Sequence, residues 1–408
     1  MKSKQTLLVK VIILLFFSTC PIYSQLLFKL ESDSLVQFDY FSGDEFNNAE
    51  LNSEFWKGPW TRVNMAQNFR YNNDNIKFDN GVVDFLMLKR DSVYKINPHE
   101  IDSTFLKEKK RAIQNFTFSL GYSAGMIISQ KKFHYGLYEL KFKVEEGKGV
   151  WPAFWFFGGD KNEEIDAFEL KGERTNSIHV DTHCPEGCDK GYKNKLGFNT
   201  NFGGWLPTKN YLHNGYNVFV LEWKPDEVIW YLNGFPFAYF KGRFSNPMNV
   251  FLNTQIAADG RAFKPGPDEG TKFPNHFLVD YLRIWKLAPV VNNPVLKMNA
   301  SMSGDTLRYI NYVNKPDSKR GLMYNKKRFA EESGTMTMVL LTGNRVRVCV
   351  TGRLKEEGLI SFEGDGTVYS HPSNVSEFEF QVPKNLQKLT LNIQFEKKVF
   401  SKYITISN

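Results

Sequence analysis

The chain has 408 residues with 30 Gly, 17 Pro, 4 Cys, 15% aromatic and 24% charged residues, a composition that excludes an intrinsically disordered protein and is long enough for two domains. The formal net charge is +8, but Lys2, Lys4 and Lys10 lie within the first 24 residues, so the rest of the chain carries +5. An excess this small, without an arginine-rich stripe, gives no basis for a nucleic-acid partner.

The first 24 residues have the pattern of an export signal, in which lysines precede an apolar stretch at residues 11–17 and small and polar residues follow it. Cleavage after Ser24 would start the mature chain at Gln25. A lipid-anchored alternative, cut before Cys20, fits its flanking residues less well. No later apolar run reaches the about 18–20 residues that span a bilayer. We therefore predict a secreted or periplasmic protein with no membrane span.

From about residue 38 to residue 286, short runs alternate apolar and polar residues between Gly, Pro and Asn turns, which is the pattern of β-strands. Three clear runs are residues 135–144, 219–223 and 228–232, and residues 224–227 predict a hairpin turn between the last two. Long helical periodicity is missing here. The pattern predicts a large antiparallel β-sandwich.

Two segments interrupt the strand pattern. Residues 91–115 are charged and are interpreted as an exposed insertion, and residues 287–294 carry two prolines and two asparagines, which predicts a domain boundary near residue 289. Beyond it, strands are predicted at residues 335–341, 345–351, 378–382, 389–395 and 400–404. We therefore predict an all-β protein with a signal (1–24), a large β domain (25–288) and a smaller C-terminal β-sandwich-like domain of unknown role (289–408).

Three carboxylates, Glu164, Asp166 and Glu169, lie within six residues in a segment of β-forming residues. In a regular strand Glu164 and Asp166 share one face while Glu169 points to the other, but one extra residue in a β-bulge would place all three together. Two carboxyls on one face can supply the catalytic groups of a retaining glycosidase. One attacks the anomeric carbon, and the other protonates the leaving oxygen. Crowding makes ionisation of all three costly, so one keeps its proton as general acid. The alternative is a polar edge strand with solvated acids.

Trp151 and Trp155 precede the acids and lie four residues apart, so they share one strand face. Aromatic rings on such a face are a platform for sugars, whose axial C–H groups stack on them. The alternative for this pair is burial in the core.

The stretch Gly149-Val-Trp-Pro-Ala-Phe-Trp155, followed by Glu164-Ile-Asp-Ala-Phe-Glu169, resembles glycoside hydrolase family 16, the group of laminarinases, lichenases, agarases, porphyranases and carrageenases. The spacing Glu-x-Asp-x-x-Glu resembles its bulged branch. Segments that resemble the family in the same order extend the likeness to roughly residues 38–287; they are residues 41–47, 123–129, 133–138, 221–226 and 279–285. The resemblance implies a β-jelly-roll with a substrate cleft across its concave face.

The resemblance also implies roles for individual residues. Glu164 would be the nucleophile, Asp166 its assistant and Glu169 the acid/base. The residues that the resemblance or their position assigns to substrate binding are Trp151, Trp155, His183, Gln255 and Arg70. No cofactor is expected for catalysis, but a structural calcium on the convex side is expected at Glu45 and Asp280.

Residues 179–188 contain two histidines and two cysteines. On a strand, His179 and His183 would lie about 13 Å apart, too far to share one tetrahedral zinc. Cys184 and Cys188 flank a Pro-Glu-Gly turn that could bring them within the about 4.4–6.8 Å of a disulfide, which export favours. Cys349 lies in an alternating run and is expected to be a buried, unpaired thiol.

We therefore expect a monomeric, exported, retaining endo-glycosidase that hydrolyses internal β-linkages of a polysaccharide, with a β-1,3-glucan such as laminarin as the first choice. A marine galactan (agar, porphyran or carrageenan) is the runner-up substrate. Transglycosylation is a further alternative, because a sugar hydroxyl can attack the glycosyl-enzyme intermediate in place of water. A non-catalytic glycan-binding protein with the same cleft is the alternative class.

Overall fold

The computed structural model describes residues 25–30, 35–58, 63–64, 67–96, 116–158, 163–183, 202–208, 210–225, 227–241, 244–287, 295–297, 335–341, 344–350, 358–370, 377–395 and 397–407. Strands dominate these residues, and the helical turns among them are short 3-10 helices at Asn73–Asn75, Gly172–Arg174 and Leu212–Asn214. No helix in this part of the chain has the length and hydrophobicity of a membrane span.

Nineteen strands precede residue 288 within the described ranges. They are β1 (Gln25–Leu30), β2 (Leu35–Asp44), β3 (Trp56–Lys57), β4 (Val63–Asn64), β5 (Phe69–Tyr71), β6 (Ile76–Asp79), β7 (Val82–Ile96), β8 (Phe116–Ala124), β9 (Met126–Ser129), β10 (Gly136–Val144), β11 (Val150–Gly158), β12 (Glu163–Glu169), β13 (Ser177–His183), β14 (Phe202–Pro207), β15 (Asn217–Trp223), β16 (Glu227–Leu232), β17 (Phe235–Lys241), β18 (Asn249–Ile256) and β19 (Asn275–Leu287).

Two large sheets pack face to face. One has seven strands in the order β14-β13-β12-β11-β18-β9-β3, and the other places β17-β16-β15-β10-β19-β2 side by side, with β7 paired to β19. Alternate side chains from both sheets meet in one core, represented by Phe154 and Phe168 from the first sheet and Phe142, Phe219 and Phe277 from the second. The predicted all-β jelly-roll sandwich is confirmed.

A smaller layer covers one end of the other face of the seven-stranded sheet. Phe69 and Tyr71 of β5 and Met87 of β7 cluster there with Met126 of β9 and Phe251 of β18. This layer forms a wall beside β11 and β18.

The C-terminal residues form strands β20 (Val295–Lys297), β21 (Thr335–Leu341), β22 (Arg345–Val350), β23 (Leu359–Gly364), β24 (Thr367–Ser370), β25 (Glu377–Gln381), β26 (Lys388–Phe395) and β27 (Lys398–Ser407). They enclose a separate core that includes Met338, Val348, Phe362 and Leu391. The five predicted strands are confirmed, whereas β20, β23 and β24 were missed. β1 pairs with both β2 and β21, so it joins the two parts in one sheet. The boundary predicted near residue 289 lies outside the described residues and stays a prediction.

Two local predictions meet different outcomes. The backbone N–H of Lys224 donates to the carbonyl of Glu227 at 2.8 Å, which confirms the hairpin turn between β15 and β16. The interpretation of residues 91–96 as part of an exposed insertion is wrong, because β7 continues through them and pairs with β8. Ladder hydrogen bonds to β8 thus outweigh the charged composition. Residues 97–115 lie outside the described ranges.

Candidate active site

The three acids lie on β12, where the predicted bulge is confirmed. The pairing of β12 with β13 shifts register between Asp166 and Glu169, so one extra residue enters the strand. Ile165, Ala167 and Phe168 are all fully buried in the sandwich core. The three acids therefore share the opposite face, called here the cleft face of the seven-stranded sheet.

Strand β13 places a polar partner opposite each acid. His183 lies opposite Glu164, Asp181 opposite Asp166, and His179 opposite Glu169. The imidazole Nε2 of His183 is 3.1 Å from an Asp166 carboxylate oxygen and 3.7 Å from one of Asp181. One ligand atom each from Asp166, Asp181 and His183 lie within 4.8 Å of one another, a spacing that a metal ion could also use.

Burial and mutual repulsion raise the proton affinity of this cluster. Burial, followed by the charge of Glu169, raises the pKa of Asp166 well above its usual range. Burial also raises the pKa of Glu164, with further increases from Glu169 and Asp181 and an opposing decrease from His183. The hydrogen bond to Asp166, with nearby carboxylates, raises the pKa of His183 to about 9. A His183 imidazolium therefore offsets part of the negative charge at neutral pH.

The carboxyl of Glu169 is held by two neighbours. The indole Nε1 of Trp151 donates to Oε1 at 3.0 Å, and Nδ1 of His179 lies 3.2 Å from Oε2. The side chains of Glu169 and His179 are only 13% and 15% exposed. Trp205 on β14 lies opposite His179, which lies opposite Glu169, and the hydrogen bond from Trp151 to Glu169 extends this row to β11, where Ala153 is directly opposite Glu169.

Phe263 covers this row from the loop between β18 and β19. Its ring stacks on Trp151 with centroids 4.0 Å apart and lies 5.4 Å from the rings of both His179 and Trp205. Its φ of +60° is in the left-handed region, which costs a non-glycine residue about 1–3 kcal/mol and is found preferentially at functional sites. Packing against three rings holds this conformation.

At the other end of the cleft face, a hydrogen-bond chain connects β11 and β18 to the wall. Trp155 stacks on Phe251 with centroids 4.1 Å apart and donates from Nε1 to Asn253 at 2.7 Å. The Tyr71 hydroxyl donates to Gln255 at 3.0 Å and accepts from Asn253 at 3.4 Å. Gln255 is therefore placed among cleft polar groups, as expected for a sugar-binding residue.

The two tryptophans share the cleft face, but each has a phenyl ring stacked on it. Trp151 is only 8% exposed, and besides Phe263 it contacts the acid Glu169. Trp155 is half-buried, and Arg70 is half-buried on β5 beside Tyr71. Sugar binding by these residues, and by His183 and Gln255, stays a prediction.

Sequence reasoning missed four residues that contact the acids or their partners: Asp181, His179, Trp205 and Phe263. The alternation of β13 places His179, Asp181 and His183 on one face, which was a usable signal for two of them. Phe263 had none, because the loop path over Trp151 depends on tertiary packing.

Glu45 and Asp280 do not fit the expected calcium site. Arg283 donates to both oxygens of Glu45, from Nε at 2.7 Å and from Nη2 at 2.8 Å. The buried Lys141 ammonium donates to Asp280 at 2.7 Å. Both carboxylates thus already have cationic partners from the chain itself, and we derive no role for calcium there.

The described residues include Cys349 but neither cysteine of the predicted disulfide. Cys184 and Cys188 lie outside the described residues, so their disulfide stays a prediction. Cys349 on β22 is 1% exposed, as expected from its place in an alternating run.

The fold and the site define a jelly-roll protein with a carboxylate cluster on its cleft face, an arrangement suited to glycan chemistry. The sequence profile of Glycosyl hydrolases family 16 matches residues 63–269, just over half of the chain. The chain therefore belongs to Glycosyl hydrolases family 16.

Individual relatives are distant. An endo-1,3-1,4-beta-glycanase (ExsH) of Rhizobium meliloti is 21% identical over 278 residues, which cover 64% of this chain and 54% of the relative. A keratan-sulfate endo-1,4-beta-galactosidase of Sphingobacterium multivorum is 28% identical over 195 residues, which cover 43% of this chain and 42% of the relative. The chain thus spans about half the length of these curated relatives. The solved catalytic domain of an endo-1,3-beta-glucanase (laminarinase) from Thermotoga petrophila is 20% identical, with a TM-score of 0.49 over 62% of this chain and all of that domain.

Proposed function

We propose that the protein is an exported, retaining endo-β-glycanase with a β-1,3-glucan as its first substrate. The observation that carries the proposal is the bulge in β12, which brings Glu164, Asp166 and Glu169 to one face and buries the residues between them in the core. Burying three neighbouring acids costs free energy, because their charges lose contact with water. This arrangement therefore indicates a functional site.

In the proposed first step, Glu164 attacks the anomeric carbon while Glu169 gives a proton to the departing glycosidic oxygen. In the second step, Glu169 takes a proton from water, the hydroxide bonds to the anomeric carbon and Glu164 is released. Asp166 hydrogen-bonds to Glu164 and is itself held by the His183 imidazolium. These two residues therefore orient the nucleophile and balance its charge.

The choice of a β-glucan and of endo action is supported by relatives whose names state those activities, such as the endo-1,3-1,4-beta-glycanase of Rhizobium meliloti. Membership of the family supports hydrolysis, and the complete set of three acids favours an enzyme over a protein that only binds glycans.

A second substrate class, a sulfated galactan, is favoured by cations at the end of the cleft row. The Arg174 guanidinium lies 5.3 Å and the Lys171 ammonium 6.0 Å from the centre of the Trp205 ring. Lys171 also pairs with Glu173 at 3.1 Å, whereas Arg174 is exposed. Cations beside an aromatic ring suit a sugar that carries a sulfate group. A relative named for keratan sulfate gives this class further support.

Reducing-end release from laminarin, agarose, porphyran and carrageenan tests the proposal. We expect the wild type to produce a ladder of oligosaccharides from laminarin and Glu164→Gln to produce none. Glu54→Gln, the same chemical change at an exposed position, is the matched control and keeps wild-type activity. Cleavage of a sulfated galactan alone would select the second substrate class. Binding without release by the wild type on every polysaccharide would overturn the enzyme in favour of a glycan-binding protein.

A further inference from the structure

We infer that His179 is a positioning residue for the acid/base Glu169, acting with Trp151 to hold the transferable proton on one defined carboxyl oxygen. The inference rests on the role given to Glu169 in the proposed function. It concerns the first histidine of β13, which the mechanism above does not use.

The two oxygens of Glu169 have chemically different partners. An indole N–H can only donate, so the bond from Trp151 at 3.0 Å requires Oε1 to act as acceptor. In the acid form of Glu169 the proton is therefore on Oε2. That oxygen is the one 3.2 Å from Nδ1 of His179.

A neutral imidazole protonated on Nε2 presents Nδ1 as an acceptor. His179 in this tautomer accepts the Oε2–H bond, so the proton stays on Oε2 until the glycosidic oxygen takes it. The imidazole ring is itself fixed, because Trp205 lies 5.1 Å and Phe263 5.4 Å from it. These rings keep His179 from rotating away and keep water from replacing it.

His183 has a different place and a different partner. It contacts Asp166 and Asp181, on the side of the nucleophile, and its side chain is 33% exposed against 15% for His179. One strand therefore supplies one histidine to the nucleophile side and one to the acid/base. The four-residue spacing that makes a shared zinc site impossible is what separates them.

The proton count of the reaction is unchanged by His179. In the first step the Oε2 proton moves to the glycosidic oxygen as the carbon–oxygen bond breaks and Glu164 bonds to the anomeric carbon. In the second step a proton from water returns to Oε2. His179 keeps its own Nε2 proton throughout and only fixes where the Glu169 proton is held.

The test compares substrates that need a general acid with one that does not. Laminarin has a sugar leaving group, which needs protonation, whereas a dinitrophenyl β-glycoside of laminaribiose has a leaving group that departs unprotonated. We expect His179→Leu to lower kcat/KM on laminarin about 10–100-fold and to change kcat/KM on the dinitrophenyl glycoside less than about threefold. His179→Asn, which restores a polar atom near the Nδ1 position, recovers part of the lost laminarin activity.

Two further variants make the outcome interpretable. Glu169→Gln is the reference for loss of the acid, and His276→Leu, on β19 in the opposite sheet, is the matched histidine control; thermal melting verifies that each variant is folded. Equal losses on both substrates in folded His179→Leu would overturn the inference, and so would no loss on laminarin. Glu169→Gln could also show no loss of kcat/KM on laminarin, or equal losses of kcat/KM on both substrates. Either result would overturn the assignment of Glu169 in the proposed function, whatever the result for His179→Leu.

Discussion

Acidic side chains line both outer faces of the sandwich, but the partners of these acids differ. On the back face, which is the outer face of the larger sheet, Glu45 pairs with Arg283, Asp280 with Lys141, and Glu222 with Lys224 at 3.2 Å. On the cleft face, the partners of the three acids are histidines and an indole. Within the described part of the chain, no lysine or arginine forms an ion pair with Glu164, Asp166 or Glu169.

Cations are not the only back-face partners, since Glu139 accepts from Tyr281 and Trp285 and Asp84 lies 2.7 Å from Nδ1 of His276, but the acids paired with lysine or arginine differ clearly from the three cleft acids. A permanent cation keeps a carboxylate ionised and fixed in place, which favours folding but not proton transfer. A histidine or an indole can hold a carboxyl while it gains and loses a proton. The chain thus uses one residue type for two tasks by changing only its neighbours.

The largest expected effect comes from making the same substitution, glutamate to glutamine, on each of the two faces. Glu164→Gln should lower activity more than about 10⁴-fold, because the nucleophile is lost, with little change in melting temperature. Glu139→Gln, on the back face, disturbs a carboxylate that accepts from Tyr281 and Trp285 and should lower stability while keeping activity in the folded fraction. Kinetics and thermal unfolding of both variants check this; a large activity loss in folded Glu139→Gln would remove the distinction between the faces.

A smaller effect is expected from removing a back-face cation. Lys141→Met leaves Asp280 without its ammonium partner and should lower the free energy of unfolding by about 2–4 kcal/mol. Lys148→Met is the control, because the Lys148–Asp268 pair is exposed and screened by solvent and should therefore contribute much less. Urea unfolding measures both, and equal losses would show that the burial of Lys141 is energetically unimportant.

On the cleft face, His183 should make the free energy of unfolding depend on pH. Since the pKa of His183 is raised to about 9 from 6.5, its stabilising contribution is complete below pH 6.5 and is lost as pH rises through about 9. Because the side chain is partly exposed, we expect a loss of about 1–2 kcal/mol between pH 6.5 and 9.5. In His183→Gln this part of the pH dependence should disappear. An unchanged slope in urea-unfolding data at the two pH values would contradict the assignment.

The smallest expected effect is that of a chelator. Since Arg283 and Lys141 already neutralise Glu45 and Asp280, EDTA should change the melting temperature by less than about 1 °C. Calorimetry with and without EDTA measures this. A clear drop that calcium restores would contradict this account of Glu45 and Asp280.

The parts of the site that follow from local spacing could be predicted from the sequence. The bulge follows from three acids that must share a face while Ala167 and Phe168 are apolar, and the common face of Trp151 and Trp155 follows from strand alternation. The same alternation would have placed His179 beside Glu169 once the pairing of β12 with β13 was known. Register between strands is a tertiary property, which no local pattern in one chain supplies.

The remaining differences have similar causes. The cover of Phe263 over Trp151 depends on a loop whose path is decided by packing against three rings. Strand β7 continues through charged residues because β8 pairs with it, a partner that composition cannot reveal. The back-face ion pairs join residues far apart in sequence, so the cationic partners of Glu45 and Asp280 were invisible to motif reasoning.

The most direct test of the carboxylate assignment is the anomeric form of the first product. Proton NMR during cleavage of laminarin by the wild type should show the β-anomer first and the α-anomer only later, as mutarotation proceeds, because two displacements at one carbon retain its configuration. Appearance of the α-anomer first would contradict the assignment of Glu164 as a nucleophile.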